Sequence, residues 1–195
     1  MALYNTQRAI IFNTLQLYRH DRLAFLKDSF KRSEQGGYHL GVKLVRGAYM
    51  EKERERAKEK GYLDPIQRDK AASDRDYDAA VAFCVAHFDR MALVAGTHNE
   101  KSTLYLARLM QERKISRDDQ RIWFSQLLGM SDNISFNMAA AGYNVAKYMP
   151  YGPVSKVLPY LIRRATENTS ARGQTGRELG LIIAERKRRG EMTRH

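Results

Sequence analysis

Residues 91–114 read Met91-Ala92-Leu93-Val94-Ala95-Gly96-Thr97-His98-Asn99-Glu100-Lys101-Ser102-Thr103-Leu104-Tyr105-Leu106-Ala107-Arg108-Leu109-Met110-Gln111-Glu112-Arg113-Lys114. The short apolar run at 91–96, closed by Gly96, predicts a buried strand. Leu106, Leu109 and Met110 then form the inner stripe of a helix predicted over residues 102–114. Thr97, His98 and Asn99 stand between the two, so three polar side chains gather where the strand ends. A strand that hands its chain to an amphipathic helix is half of a β-α-β unit, and in barrels built from such units ligands are held at the C-terminal strand ends.

The same pattern repeats on both sides. Upstream, residues 8–18 carry Ala9-Ile10-Ile11-Phe12-Asn13-Thr14-Leu15-Gln16 and predict a strand; residues 21–35 predict an amphipathic helix stopped by Gly36-Gly37. Residues 39–45 predict the next strand, ended by Gly47. A charged helix follows over 51–60, capped by Gly61, and then an apolar-faced helix over 74–88 with Tyr77, Val81, Cys84, Val85 and Phe88 on one side. Downstream, strands are predicted at 121–124 and 145–148 and helices at 134–141, 154–168 and 177–188. Strand and helix alternate about five times, which predicts a parallel sheet with right-handed helical crossovers. The strand ends carry Gln16, Arg46-Gly47, Thr97-His98-Asn99, Ser125-Gln126 and Tyr148. No Pro/Ser-rich linker interrupts the chain, so it reads as one α/β unit.

Composition narrows the class. The 195 residues are 43% hydrophobic and 29% charged, ordinary for a soluble domain with a core. No apolar run reaches the roughly 20 residues that a bilayer-spanning helix requires, and Met1-Ala2-Leu3-Tyr4-Asn5 has no secretory pattern. Cys84, alone and inside an apolar stretch, reads as a small buried hydrophobe, which fits a reducing compartment such as the cytoplasm. No Cys/His cluster has metal-ligand spacing, so no metal is expected. The net charge is +12, but residues 52–60 mix both signs and the remaining excess includes a basic tail at 185–189. No nucleic-acid motif accompanies the charge, so no nucleic acid is expected as a partner; the tail is compatible with peripheral membrane contact.

Leu158-Pro159-Tyr160-Leu161-Ile162-Arg163-Arg164-Ala165-Thr166-Glu167-Asn168 is the most informative helix. Tyr160, Arg163, Arg164 and Glu167 stand at i, i+3, i+4 and i+7 and share one face; Leu158, Leu161, Ile162 and Ala165 share the other. Periodicity leaves two readings open. One is a surface helix with an Arg163–Glu167 pair contributing about 0.3–0.5 kcal/mol. The other is an anion clamp, because two adjacent guanidinium forks fix both the position and the orientation of a carboxylate.

Five segments decide between them. Lys43-Leu44-Val45-Arg46-Gly47-Ala48-Tyr49, Thr97-His98-Asn99-Glu100, Gln126-Leu127-Leu128-Gly129-Met130, Lys147-Tyr148-Met149-Pro150-Tyr151-Gly152-Pro153 and the block 160–168 resemble, in order, the signature blocks of the FAD-dependent proline dehydrogenase family. The resemblance implies a distorted (β/α)8 barrel, of which this chain carries the C-terminal part with about five parallel strands. It implies FAD at the strand ends, beneath the last helix, and L-proline oxidised to pyrroline-5-carboxylate by hydride transfer, with electrons passed on to a quinone. By resemblance Arg163 and Arg164 bind the substrate carboxylate, and Tyr160, Tyr148 and Leu127 wall the ring. Gln16, Lys43, Val45, Gly47, Thr97, His98, Asn99 and Gln126 face FAD, with Arg164, Glu167 and Asn168 from the helix. Residues 171–195 are expected to form a helical basic tail.

A closed barrel of this kind takes about 250 residues, so the early strands are expected from a complementing N-terminal segment. Two other readings are an inactive remnant of the family and a basic nucleic-acid- or membrane-binding module. The location expected is cytoplasmic, with membrane association, or mitochondrial in a eukaryote.

Overall fold

The computed structural model describes residues 1–170 together with Gly180, Ile183, Ala184, Arg186 and Lys187; of residues 163–170 it describes the backbone alone. In chain order the elements are β1 (Phe12–Gln16), α1 (Arg22–Gln35), β2 (Leu40–Val45), α2 (Met50–Lys60), α3 (Lys70–Ala86), β3 (Met91–Gly96), α4 (Glu100–Glu112), β4 (Ile122–Leu127), α5 (Asp132–Ala140), β5 (Val145–Tyr148) and α6 (Val154–Ser170). The first unit, Met1–Tyr148, holds the sheet; a second begins at Met149 and holds α6. The expected helix over 177–188 and the basic tail lie outside the described residues, apart from the five positions named above, which are helical.

All five strands are parallel and lie in sequence order, β1-β2-β3-β4-β5. This order separates a barrel segment from a doubly wound sheet, in which strand order reverses part-way. Each new strand adds beside the last, so right-handed crossovers put every connecting helix on the same side. Register confirms one continuous apolar row facing those helices: Leu15 pairs with Leu44, Leu44 with Ala95, Ala95 with Phe124 and Phe124 with Val145. Against this row pack Leu26 and Phe30 of α1, Tyr77, Val81, Cys84 and Val85 of α3, Leu106 and Met110 of α4, and Ile134 and Met138 of α5. Cys84 is buried, and burial holds its thiol well above the usual range, which keeps it protonated and inert.

The differences between expected and observed boundaries come from polar caps. α3 begins at Lys70 rather than at 74 because the Asp69 carboxylate accepts the Ala72 N–H at 2.7 Å. α4 begins at Glu100 because the Asn99 side-chain oxygen accepts from Lys101 N and Ser102 N. β4 continues through Ser125 and Gln126 to Leu127: both side chains are buried, the Gln126 amide is bonded to Thr97 O and Ser135 Oγ, and Ser125 O accepts from Thr97 N. β1 is shorter than the predicted strand. Ahead of it the chain is tied down by Asn5, which is 0% exposed: its Oδ1 accepts from Ile10 N and Ile11 N, and its Nδ2 donates to Ile11 O and His39 O.

Asn5 thus satisfies four backbone groups at the start of two strands. Asn5→Ala is expected to destabilise the protein by about 1–3 kcal/mol, because four backbone groups lose a fully buried partner that ties residues 10 and 11 to residue 39. Urea unfolding of the two proteins checks this; equal midpoints would remove Asn5 from the list of fold determinants.

Candidate functional site

Side chains alternate along each strand, so the face away from the helices carries the other half of the sheet. In register across it run Thr14, Lys43, Val94 and Trp123; nearer the C-terminal ends run Gly96, Ser125 and Ala146, then Leu127 beside Tyr148. Gln16 pairs with Val45 at the same end. Gln16, Lys43, Val45, Leu127 and Tyr148 therefore share one surface.

Lys43 is half-buried there. Its ammonium lies 5.0 Å from the centroid of the Tyr148 ring, and burial lowers its pKa from the ordinary lysine value. β3 and β4 separate the strands of this pair, and flat sheet spacing of about 4.8 Å would put β2 and β5 some 14 Å apart. Gly96 leaves the path open. A methyl there would stand 2.9 Å from Val45 Cγ1 and 3.4 Å from Lys43 Cε.

Gln126 and Leu127 are neighbours in sequence and lie on opposite faces. Leu127 belongs to the open face. Gln126 is buried on the helix side, donating from Nε2 to Thr97 O at 3.2 Å and accepting from Ser135 Oγ at 2.9 Å. Gln126, expected to contact FAD, ties β3 to α5 through these two bonds.

Arg46 follows β2 and points the opposite way from Lys43 and Val45. Its Nε donates to Asp74 Oδ1 at 2.5 Å, Nη1 to Thr97 Oγ1 at 2.8 Å and Nη2 to Ser102 Oγ at 2.9 Å, while the guanidinium covers the Tyr77 ring at 4.3 Å. Ser102 Oγ in turn donates to Asp78 Oδ1 at 2.6 Å. Gly47 has φ +123°, and a Cβ there would meet the Tyr18 ring at 1.5 Å. The positive φ and the Tyr18 ring both require a glycine at this position, which was expected to let FAD approach the backbone.

Thr97 and Asn99 are occupied as anchors: Thr97 Oγ1 accepts from Asn99 N at 3.0 Å, and Asn99 caps α4. His98 lies between them with its Nδ1 2.9 Å from Ser131 Oγ. Burial first, and the Lys147 charge second, push its pKa down to about 4. Lys147, on the helix side of β5, donates to Met130 O and Asp132 Oδ1, both at 2.7 Å. Ser131, with φ 50°, turns the chain into α5. Arg46, Ser131 and Lys147 were not among the expected site residues. Strand parity was the available signal for Arg46, since three residues separate it from Lys43.

Tyr160 is half-buried within α6. Arg163, Arg164, Glu167 and Asn168 lie in the same helix, on backbone that is described, and their side chains lie outside the described residues. Among the described residues no cluster of His, Cys, Asp and Glu is placed to hold a metal ion.

The family model for proline dehydrogenase matches residues 1–177. The chain is 40% identical over 194 residues to proline dehydrogenase 1, mitochondrial, of Caenorhabditis elegans, covering 97% of this chain and 32% of that protein. It is 42% identical over 193 residues to the hydroxyproline dehydrogenase of Xenopus laevis, covering 97% of this chain and 41% of that protein. Proline utilization A (PutA) from Bdellovibrio bacteriovorus inactivated by N-propargylglycine superposes with a TM-score of 0.76 at 25% identity, over 81% of this chain and 16% of that one. The chain spans about a third to two fifths of the length of these two curated relatives.

His98 gives a pH prediction. Its folded pKa, about 4, lies below the ordinary 6.5, so between those values the unfolded chain binds more protons than the folded one. Stability should be complete above 6.5 and fall as pH drops toward 4. An NMR titration should find the ring still neutral midway through that window, and Lys147→Met should raise the midpoint part of the way. A His98 midpoint near 6.5 would contradict the burial argument.

Proposed function

The chain belongs to the proline dehydrogenase family, and we propose that it forms the C-terminal part of an FAD-dependent enzyme that oxidises L-proline to pyrroline-5-carboxylate. The observation that carries this reading is Lys43. It is a half-buried cation on the open sheet face, stacked on Tyr148, and no hydrogen bond or ion pair to an acid is found for it among the described residues. A desolvated ammonium without a counter-charge is suited to a ligand that carries or gains negative charge.

The residues present fit a flat, polar cofactor. Gly96, Ser125 and Ala146 keep the middle of the open face low, while Gln16, Lys43 and His98 offer polar groups around it. Gln16, Lys43, Val45, His98 and Asn99 would hold FAD, with Arg164, Glu167 and Asn168 from α6; Thr97 would act as an anchor of the turn. The chemistry that FAD supplies when bound is acceptance of a hydride from the substrate ring carbon.

The chain's own residues bind and orient. Arg163 and Arg164 would grip the carboxylate through planar forks, which would fix which ring carbon is presented. Leu127 and Tyr148 from the sheet and Tyr160 from α6 would contact the substrate ring. Positioning of this kind removes roughly 7–11 kcal/mol from a barrier, and no acid–base triad is required of the protein.

The outer edges of β1 and β5 have no strand partner among the described residues, and the proposal gives them the remaining barrel strands, supplied by a complementing segment. Electrons leave to a quinone. No helix among the described residues is long and apolar enough to cross a membrane; under this proposal the quinone is met by peripheral contact. The mitochondrial relatives support a mitochondrial location in a eukaryote.

Purified with its complementing segment, the protein should show an oxidised-flavin band near about 450 nm that L-proline bleaches. Similarity to a hydroxyproline dehydrogenase makes hydroxyproline the second substrate to add. Arg164→Lys should weaken proline binding by at least about tenfold, roughly 1.4 kcal/mol, because a point charge cannot reproduce the fork. A flavin-free preparation, or unchanged proline affinity in the variant, would refute the respective half of the proposal.

A further inference from the structure

Arg46 stands in the block 43–49 that resembles the family's, yet it points into the helix layer, where no ligand of the open face reaches. Its donors are distributed with purpose: Nε goes to α3 at Asp74, Nη2 to α4 at Ser102, and Nη1 to Thr97, the residue that follows β3. Tyr77 supports the plane of the guanidinium from below, 4.3 Å away. Ser102, which accepts from Arg46, also donates to Asp78, so α3 and α4 are cross-tied at the same point.

Thr97 Oγ1 has two incoming bonds, one from Arg46 Nη1 at 2.8 Å and one from the Asn99 backbone N–H at 3.0 Å. The backbone on either side is pinned as well: Thr97 N donates to Ser125 O, Thr97 O accepts from Gln126, and Asn99 O accepts from Thr103 Oγ1. His98 is therefore the middle residue of a three-residue turn whose two flanks are both fixed through one hydroxyl that Arg46 holds. A lysine at 46 could not do this, since one ammonium on a flexible stem cannot satisfy three acceptors in a plane.

We infer that Arg46 is a positioning residue of the flavin site: acting through Thr97, it sets the direction in which His98 and Asn99 are presented, without touching the ligand itself. The inference rests on the reading of His98 and Asn99 as flavin contacts. It differs from a purely structural role in one respect. A structural arginine would lower stability and leave binding untouched, whereas a positioning arginine changes ligand affinity through an identifiable second residue.

The test is a double-mutant cycle on the protein purified with its complementing segment, with FAD affinity and backbone amide exchange as readouts. Arg46→Met and Thr97→Val should each weaken FAD binding by roughly tenfold or more, as misplacement of a contact by about 1 Å does. Thr97→Ser, which keeps the hydroxyl, should restore the affinity. The double variant should bind no worse than the weaker single, because both changes cut the same chain of contacts. In flavin-free protein the Asn99 amide should exchange faster in both variants, relative to the Leu93 and Ala95 amides of β3.

Unchanged FAD affinity in Thr97→Val, or losses that multiply in the double variant, would overturn the inference. If Arg46→Met does not fold, the Thr97→Val and Thr97→Ser pair decides. If the unmutated protein takes up no FAD, the functional reading fails, and Asn99 exchange still decides the positioning claim: equal exchange in all variants would overturn it.

Discussion

A right-handed crossover between neighbouring parallel strands puts its connecting helix on one side of the sheet, and five strands laid down in sequence order repeat that choice each time. The helices therefore cover a single face. That face takes the buried apolar row from Leu15 through Leu44, Ala95 and Phe124, and the other carries a mixed set: Thr14, Gln16, Lys43 and Ser125 beside Val94, Trp123, Leu127 and Tyr148. A doubly wound sheet would have covered both faces and placed its ligand at the reversal of strand order. Here the whole uncovered face, together with the C-terminal strand ends, is the ground on which a site can be built.

The pleat then divides the polar residues between two tasks. Lys43 and Arg46 are cations three residues apart, and they serve opposite sides. Lys43 reaches over Gly96 toward Tyr148, where burial weakens its hold on its proton. Arg46 turns inward and spends its guanidinium on Asp74, Thr97 and Ser102. Leu127 and Gln126 divide in the same way, one to the open face and one to α5. Arg46 and Gln126 thus hold the strand ends in place through part-buried and buried hydrogen bonds, while Lys43 and Leu127 remain on the open face.

This double use explains why motif residues and contact residues are not the same set. Asn99 caps a helix, Thr97 anchors a turn and Gly47 makes room for Tyr18. Each fills a demand of the backbone. Pro159 inside α6 is the reverse case: it removes an amide donor from the helix that carries Arg163 and Arg164, at a cost of about 3 kcal/mol in an isolated helix, and no cap or packing demand among the described residues accounts for it.

The sequence by itself determined the alternation of strand and helix, the strand boundaries at 91–96 and 145–148, the apolar faces of α1, α3 and α4, and the clustering of polar residues at strand ends. These depend on local periodicity and on composition, which a chain carries wherever it goes. It also determined the family, because five short blocks in order are a one-dimensional signal. Tertiary structure alone decided which partners Gln126 and Arg46 find on the helix side, that Lys43 meets the ring of Tyr148 across two intervening strands, and that Asn5 locks the start of the sheet. Those facts depend on which residues become neighbours when the chain folds, and partners such as Arg46 and Thr97, 51 residues apart, or Lys43 and Tyr148, 105 apart, leave no local pattern to read.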